Sequence, residues 1–170
     1  MINEIIKKRK SIRSYDTEKK VSDEQIKELL EAAMLAPSAC NFRPWEFIVV
    51  KNRDKLDEIS KFDPHTGMLK TASCAIIVLL KPVTDSERPG KGMWQHDGGA
   101  TTQNILLQAA HLGLGTCWCG LNPVEEYMKG VRKLFDLPSD VIPFSCIAVG
   151  YPAEEFGSRG FYEEEKVRWE

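Results

Sequence analysis

The spacing of apolar residues along the chain predicts an alternation of helices and strands. The clearest helix is carried by four apolar residues that recur at helical spacing, Ile26, Leu29, Leu30 and Ala33. Ser22 and Gln25 stand just before this run at the spacing of a capping box, so the helix is expected to begin after Ser22. Pro37 cannot continue a helix, and the helix is expected to end before it.

Four apolar runs predict strands: "WEFIVV", "CAIIVLL", "GTCWCG" and "FSCIAVG". The second run is apolar at consecutive positions, which is typical of a strand covered on both faces. Between the runs the sequence predicts a short N-terminal helix, a helix over about 53–62, a largely buried helix over 98–112, and a helix capped by Asn122 with Pro123 first. This succession predicts an α+β or mixed α/β architecture with a central sheet and helices around it.

Composition places the chain among soluble globular proteins, because 42% of its residues are apolar and 28% are charged. Its 170 residues are expected to form a single domain, 1–170. The net charge of -2 provides no bulk field for nucleic acid or anionic membranes. The longest apolar run, "ASCAIIVLL", is too short to cross a bilayer, and the first residues lack the apolar core of a signal peptide. We therefore expect no nucleic-acid partner, no membrane insertion and no secretion.

The five cysteines are an odd number and show no disulfide framework, which favours a reducing, cytoplasmic location. Cys117 and Cys119 form a C-x-C pair. A zinc site would require two more ligands nearby, and none has a suitable spacing. The pair is therefore interpreted as small apolar strand residues, and no metal is predicted.

The N-terminal stretch "RKSIRSY" concentrates basic and hydroxyl groups just past the first predicted helix. Arg9, Ser11 and Arg13 alternate with other residues, so in an extended segment they point to one side. Two guanidinium groups and a hydroxyl on one side would hold a phosphate dianion well. A solvated basic patch after a helix is the alternative interpretation, and the residues alone leave both open.

The stretch "APSACNFRPW" interrupts a helix and a strand with short polar side chains, Ser38 and Asn41, close to an arginine. A plain turn would not require them, so this stretch is a candidate binding segment. The chain has no P-loop lysine, no G-x-S-x-G and no H-E-x-x-H, and its histidines are scattered. The sequence "GLGTCW" is not a dinucleotide fingerprint, because a helix precedes its glycines where a strand should.

The order of these motifs resembles the FMN-dependent nitroreductase family over nearly the whole chain. The resemblance is carried by "RKSIRSY", "APSACNFRPWEF", "DGGATTQNILLQAA", "LGLGTCWCG" and "GYP" with a later arginine. The chain resembles the short members, which lack a helical insertion over the flavin. The family implies a central, mostly antiparallel sheet flanked by helices. It also implies an intertwined homodimer with FMN at the interface, in which the C-terminal tail adds to the partner.

The resemblance assigns cofactor contacts to two segments. In the first, Arg9 and Ser11 would bind the FMN phosphate, with Lys10 nearby. Arg13 would lie toward the N1/O2 edge of the ring, where a fixed cation stabilises the charge left by hydride delivery to N5. In the second segment, the family pattern P-S-x-x-N-x-Q-P-W maps onto five residues that would reach the flavin of the other protomer, Pro37, Ser38, Asn41, Pro44 and Trp45.

Two further contacts follow from the resemblance. Gly120 and Leu121 match the loop whose backbone N–H lies near flavin N5, and Cys119 flanks it. Arg159 matches the basic residue after "GYP" that closes on the phosphate. No side chain is assigned as a catalytic acid or base, because the flavin carries the chemistry.

Three positions depart from the family pattern. Arg43 stands where glutamine is usual, which adds a charge near the flavin or the dimer seam. The segment before the second strand offers His65 and Met68 where an amide and a lysine are common, so its ribityl and O2 contacts are in doubt. Trp94, in "DSERPGKGMWQH", stands in the region that usually covers the ring.

The implied activity is a ping-pong oxidoreduction in which NADH or NADPH reduces the flavin and a small-molecule acceptor, a nitroaromatic, quinone or related compound, oxidises it. A flavin enzyme of another chemistry on the same fold, a dehalogenase or flavin destructase, is the enzymatic alternative. A flavin-binding storage or sensing protein is the non-enzymatic one. A globular domain without a cofactor also remains open.

Overall fold

A four-stranded antiparallel sheet forms the centre of the protein. The structure is a computed structural model that describes residues 1–83, 89–155, 160 and 162–170. Its strands are β1 (Trp45–Val50), β2 (Cys74–Leu80), β3 (Gly115–Gly120) and β4 (Ile142–Gly150). They lie in the order β1-β2-β4-β3, and every neighbouring pair is antiparallel. All four predicted strands are thereby confirmed.

Five α-helices pack around this sheet in the described residues: α1 (Glu4–Lys8), α2 (Asp23–Met34), α3 (Arg53–Ile59), α4 (Trp94–His111) and α5 (Glu125–Phe135). Short 3-10 helices span Ala39–Asn41, Pro64–Lys70 and Glu164–Lys166. The predicted α+β architecture is confirmed. No helix among the described residues has the length and apolar character needed to cross a bilayer.

Strand β2 is buried along its whole length, and its alternate side chains feed two separate cores. Ala75, Ile77 and Leu79 face the core formed with α3, α5 and the 3-10 helix Pro64–Lys70. Cys74, Ile76, Val78 and Leu80 face the core formed with α2 and α4. The prediction that this strand is covered on both faces is confirmed, and the fold has three layers.

Two predicted helix caps are present. The Ser22 hydroxyl accepts a hydrogen bond from the Gln25 N–H at 3.2 Å, and the Gln25 side chain accepts one from the Ser22 N–H at 3.0 Å. At the start of α3, the Asn52 side chain accepts from the Lys55 N–H at 2.9 Å. Both caps satisfy peptide groups that the first helical turn leaves unbonded.

The predicted cap of the last helix is wrong. Helix α5 begins at Glu125 and its N-cap residue is Val124, whereas Asn122 lies in the turn between β3 and the helix. The Asn122 N–H donates to the Phe144 carbonyl at 3.1 Å, and its side chain donates to Met128 Sδ at 3.6 Å. Asn122 is therefore held by β4 and by the helix interior, which leaves it unable to act as the cap.

Helix α4 begins four residues before the predicted start at Gly98. Glycine disfavours helix interiors, yet Gly98 and Gly99 both lie inside this helix. In the structure Gly98 serves close packing, since a Cβ there would lie 2.5 Å from Leu80 Cδ1 and 2.9 Å from Phe144 Cε1. The helix packs closely against the sheet at Gly98, and the first turn of the helix precedes this glycine.

The C-terminal residues lie on the surface. Val167 and Trp169 belong to the C-terminal tail, which the family resemblance implies adds to the partner, and they are 39% and 84% exposed. They follow the short 3-10 helix Glu164–Lys166. A second chain would be required for the tail to add to a sheet, so that part of the prediction stays a prediction.

Candidate functional site

A cleft of about 730 Å³ lies beside β3. Its walls come from β3, from the 3-10 helix Pro64–Lys70 and from the start of α5, and Arg13 enters it from the N-terminal segment. Gly67 and Gly120 are among the lining residues. A Cβ on Gly67 would meet no other atom within 4 Å, and one on Gly120 would meet only the Asn122 carbonyl oxygen at 3.8 Å. Backbone is therefore open to a ligand on two sides of the cleft.

The segment 9–14, called the basic segment below, lies along β3. The Ile12 N–H donates to the Thr116 carbonyl at 2.8 Å, and Ser11 forms a parallel bridge with the same residue. The Ile12 side chain is fully buried, and a Cβ on Gly115 would lie only 2.8 Å from it. Glycine at 115 is thus required for the basic segment to approach the strand this closely. Ser11 and Arg13, on either side of Ile12 in the chain, are directed away from the core.

Glu154 fixes the end of the basic segment from the far end of the chain. One carboxylate oxygen, Oε1, accepts hydrogen bonds from the Arg13 N–H at 2.8 Å and the Ser14 N–H at 3.3 Å. These two peptide groups lower the pKa of Glu154, with smaller contributions from the positive charges of Lys10 and Arg13. The charged form of the Glu154 carboxylate therefore stabilises the backbone that places Arg13 at the cleft.

Two thiols on the wall of the cleft perturb each other. The neighbouring Cys119 thiol lowers the pKa of Cys117, against the opposing effect of burial, and the Arg13 guanidinium and the Ser11 hydroxyl contribute in the same direction as Cys119. The same neighbour and burial raise the pKa of Cys119. The Cys119 sulfur lies 3.5 Å from the His65 carbonyl oxygen. One thiol of the pair is therefore acidified and the other is held protonated.

The segment 36–45, called the polar segment below, holds its shape through side chains that bond to the backbone. The Ser38 hydroxyl accepts from the Arg43 N–H at 2.9 Å, and the buried carboxylate of Asp97 accepts from the Ala39 N–H at 2.9 Å. Three of its residues have left-handed backbone angles, Cys40 (φ 49°), Asn41 (φ 55°) and Arg43 (φ 50°). Such strain in residues other than glycine persists only where surrounding contacts impose it, and it is found preferentially at functional sites.

The structure brings part of the predicted site together. Arg13 and Gly120 line the cleft, Ser11 reaches Cys117 on its wall, and Leu121 is buried directly after Gly120. Arg9 and Lys10 are half-buried in the turn after α1.

Pro37 and Ser38 line a different cavity, of about 320 Å³, together with residues at the start of α4. Asn41 is exposed. Arg159 lies outside the described residues. Within one chain, Pro37 and Ser38 therefore line a cavity other than the cleft that Arg13 enters.

Sequence reasoning missed three residues of the site. Asp63 is 3% exposed, lines the cleft and accepts from the His65 N–H at 2.7 Å. Tyr127 lines the opposite wall, and burial together with the Asp63 charge raises its pKa. A local signal existed for Asp63, because an aspartate before a proline is typical of a helix start. No local sequence signal marked Tyr127 or Glu154, because the residues that they contact are distant in sequence.

A metal centre has no ligands of its own in the part of the chain that is described. No group of three or more histidine, cysteine, aspartate or glutamate side chains there is arranged to hold an ion. All five cysteines are free thiols.

Comparison with known proteins gives a consistent result. The sequence profile described as "Nitroreductase family" matches residues 6–65 and 60–151. A protein of Methanothermobacter thermautotrophicus, provisionally named NADH dehydrogenase/NAD(P)H nitroreductase, is 44% identical over 98% of this chain and 85% of its own length.

Two solved structures share the fold over nearly the whole of both chains. An FMN-dependent nitroreductase from Clostridium difficile is 31% identical, with a TM-score of 0.86 over 97% of this chain and 96% of that one. A provisionally assigned nitroreductase from Desulfovibrio desulfuricans, solved in complex with FMN, is 28% identical, with a TM-score of 0.81 over 98% and 95%.

Proposed function

The chain belongs to the nitroreductase family, and from this premise we propose that it is an FMN-dependent NAD(P)H oxidoreductase that reduces nitroaromatic, quinone or related acceptors. The observation that carries the proposal is the meeting of Arg13 and Gly120, more than a hundred residues apart in the chain, on the walls of one cleft. We propose further that residues 1–170 act as one FMN-binding domain.

The cleft fits the cofactor in size and in chemistry. Its volume of about 730 Å³ lies within the range of about 300–1,000 Å³ that is usual for cofactor pockets. The open backbone at Gly67 and Gly120 suits a flat ring that approaches peptide groups closely. The positive charge of Arg13 suits the ring edge that becomes negative on reduction.

Each part of the proposed site has a separate role. Arg9 and Ser11 would bind the phosphate, with Lys10 nearby and Arg159 closing on it. Arg13 would face the N1/O2 edge, held there by the bond from its N–H to Glu154. The Gly120 peptide would face N5, and the buried Leu121 would fix that peptide in place.

When bound, FMN would accept a hydride from NADH or NADPH and then pass electrons to the acceptor, in ping-pong order. The chain's own contribution is to bind, orient and polarise. Asp63, His65 and Tyr127 would line the same cleft and limit the entry of water and of large acceptors.

The proposed enzyme is a homodimer in which the polar segment of each chain completes the site of the other. This is supported by the separate cavity that Pro37 and Ser38 line in their own chain, and by the exposure of Asn41. Asn41 is exposed, has a left-handed backbone and is not among the residues that line its own chain's cleft, so it is suited to contact a ligand held by a neighbour.

The test begins with the visible spectrum of the purified chain, which is expected to show bound flavin. Anaerobic NADH or NADPH should bleach it rapidly, and a nitroaromatic or quinone should restore it. A colourless chain that ignores added FMN would contradict the cofactor. Slow or absent bleaching of a bound flavin would contradict the oxidoreductase and favour a storage or sensing role.

The phosphate contact has its own variant. Arg9→Ala is expected to weaken FMN binding by about 2–4 kcal/mol, because it leaves part of a dianion without a partner. Lys7→Ala is the matched control, since Lys7 pairs with Glu4 at 2.7 Å on the exposed side of α1. Equal FMN affinity in both variants, measured by fluorescence titration, would remove Arg9 from the site.

A further inference from the structure

We propose that Asp63 sets the reduction potential of the flavin, as a fixed negative charge on the wall of the cleft that opposes the positive charge of Arg13. The inference stands on a buried carboxylate that lines the cleft and that no ion pair of the described residues neutralises. It rests on the proposed function, because it takes this cleft to be the FMN site. It goes beyond that function by assigning Asp63 an electrostatic effect on the cofactor.

The local structure gives the Asp63 carboxylate a fixed position. Asp63 is the N-cap of the 3-10 helix Pro64–Lys70, and its Oδ1 atom accepts a hydrogen bond from the His65 N–H at 2.7 Å. Its carbonyl oxygen accepts from the Thr66 hydroxyl at 2.6 Å and from the Thr66 N–H at 3.0 Å. Both the main chain and the side chain of Asp63 are therefore held, and its charge stays in one place relative to the cleft.

Burial of this carboxylate exceeds what its capping role requires. Asp63 is only 3% exposed, and a buried charge is costly unless a cation or a metal ion compensates it. The described residues contain no group of three or more side chains arranged to hold a metal ion. A neutral asparagine or serine would cap the 3-10 helix equally well. The negative charge at position 63 therefore calls for a role besides capping.

Two contacts connect Asp63 to the part of the cleft where the flavin ring is proposed to lie. The first is the hydrogen bond from the His65 N–H to Asp63. In the second, the His65 carbonyl oxygen lies 3.5 Å from the sulfur of Cys119, the residue directly before Gly120. Asp63, Gly120 and Arg13 all line the same cleft. A ring held beside Gly120 would therefore lie between the two opposite charges.

Neighbouring side chains respond to the charge of Asp63. Burial, and after it the negative charge of Asp63, raises the pKa of Tyr127 on the cleft wall. The same two causes, in the same order, raise the pKa of Cys146 in β4 to about 12. The field of Asp63 therefore extends along the cleft wall and into the sheet, and a ligand in the cleft is exposed to it.

The sign of the effect follows from the chemistry of flavin reduction. A hydride brings two electrons and one proton, so the ring gains one negative charge while the nicotinamide becomes a cation. Arg13 stabilises that negative charge and raises the reduction potential. Asp63 repels it and lowers the potential, and the effect is strengthened because little water screens a buried charge. The opposition of the two charges makes the reduced flavin a stronger reductant than Arg13 alone would allow.

The test is the midpoint potential of FMN bound to the full chain, measured without oxygen against a redox dye of known potential. Asp63→Asn removes the charge, keeps the size of the side chain and keeps an acceptor oxygen for the His65 N–H. The equilibrium constant for reduction is expected to rise about tenfold, which corresponds to a rise of about 30 mV for a two-electron couple.

Asp140→Asn is the matched control. It removes the same charge from an exposed residue that pairs with Lys81 at 3.5 Å and does not line the cleft. Its effect on the equilibrium constant is expected to stay below about twofold, because solvent screens a surface charge. A shift as large as that of Asp63→Asn would show an effect of net charge alone and would overturn the proposal.

Two further variants test the opposition of charges. Arg13→Gln, studied at saturating FMN, is expected to lower the equilibrium constant for reduction. No ion pair among the described residues joins Arg13 to Asp63, so the two effects should add, and the double variant should return toward the value of the unchanged chain. A double variant that matches Arg13→Gln alone would overturn the role of Asp63.

Asp63→Ser is a second route to the same measurement, since serine also caps a helix and carries no charge. An unchanged or lowered potential in the Asp63→Asn and Asp63→Ser chains, with FMN bound, would overturn this inference and leave the proposed function standing. A purely structural Asp63 would give that result, with a loss of stability or FMN affinity at most. A chain that binds no FMN would overturn both proposals.

Discussion

The basic segment and the polar segment are both proposed to contact the same cofactor, but they are held in place by different means. The basic segment is nearly a fifth strand, with Ile12 bonded to Thr116 of β3 and its side chain fully buried. The polar segment has no strand partner over Cys40–Arg43 and holds three left-handed residues through Ser38 and Asp97.

The difference shows two ways of fixing a binding loop. Backbone pairing and a buried side chain fix an extended segment at little conformational strain. Side-chain acceptors that capture peptide N–H groups can instead hold a backbone that the sequence alone would not adopt. Each segment also has one carboxylate from a distant element, exposed Glu154 for the basic segment and buried Asp97 for the polar one.

The largest effect is expected at the buried anchor of the basic segment. Ile12→Ala should reduce the free energy of unfolding by about 2–5 kcal/mol and also weaken FMN binding, because the segment loses its attachment to β3. Ile76→Ala removes an equally buried isoleucine from the sheet centre and is the control. Urea unfolding and FMN titration of both variants check this, and equal loss of FMN affinity would show that Ile12 has no special link to the site.

Next in size is the buried carboxylate of the polar segment. Asp97→Ala leaves the Ala39 N–H without its acceptor and should lower stability by about 1–3 kcal/mol. Asp97→Asn keeps an acceptor oxygen and should lose less. Thermal unfolding separates the two, and identical losses would mean that packing at position 97, rather than this hydrogen bond, fixes the segment.

Backbone strain distinguishes the two segments directly. At Arg43, whose φ is 50°, Arg43→Gly should be more stable than Arg43→Ala by about 1 kcal/mol, because glycine accepts left-handed angles freely. At Arg13, in the extended segment, the order should invert, with Arg13→Ala the more stable. Denaturant unfolding of the four variants checks this, and the same order at both positions would remove the contrast.

The smallest effect is expected at Glu154 and appears as a dependence on pH. Its pKa is lowered in the folded chain, so its stabilisation is present above its ordinary pKa of about 4.5 and is lost as the pH falls through the folded pKa. Glu154→Gln keeps an acceptor without the charge. The difference in unfolding free energy between the two chains should be below about 1 kcal/mol at pH 7 and should vanish in acid. A difference that stays constant down to pH 3 would contradict the role of the charge.

Elements specified by neighbouring residues could be predicted from the sequence. The capping box of Ser22 and Gln25 and the cap at Asn52 depend only on the turn that follows, and both are present. The start of α4 and the cap at Asn122 were wrong for the opposite reason. Gly98 is required by close packing against Leu80 and Phe144, which lie on two strands of the sheet. Asn122 is held by a hydrogen bond to the Phe144 carbonyl of β4.

In the candidate site, too, features specified by neighbouring residues could be predicted, and features that depend on distant residues could not. The composition of the basic segment marked Arg9, Ser11 and Arg13 as candidates for binding an anion, since clustered charge is visible in the sequence. Its position could not be read there, because it depends on the meeting of Ile12 with Gly115 and Thr116 about a hundred residues later. Cys117 was interpreted as an apolar strand residue, and it lies in the buried core as expected. The effect of Cys119 and Arg13 on its pKa could not be read from the sequence, because Arg13 meets Cys117 only in the fold.

The attachment of Ile12 to Thr116 has a further consequence, because β3 is the last strand in the sheet order. A terminal strand with unpaired peptide groups invites strand addition by other molecules and thereby aggregation. By occupying part of that edge, residues 11–12 shield it. Proteolytic removal of the N-terminal residues would therefore expose that part of the edge to strand addition by another molecule.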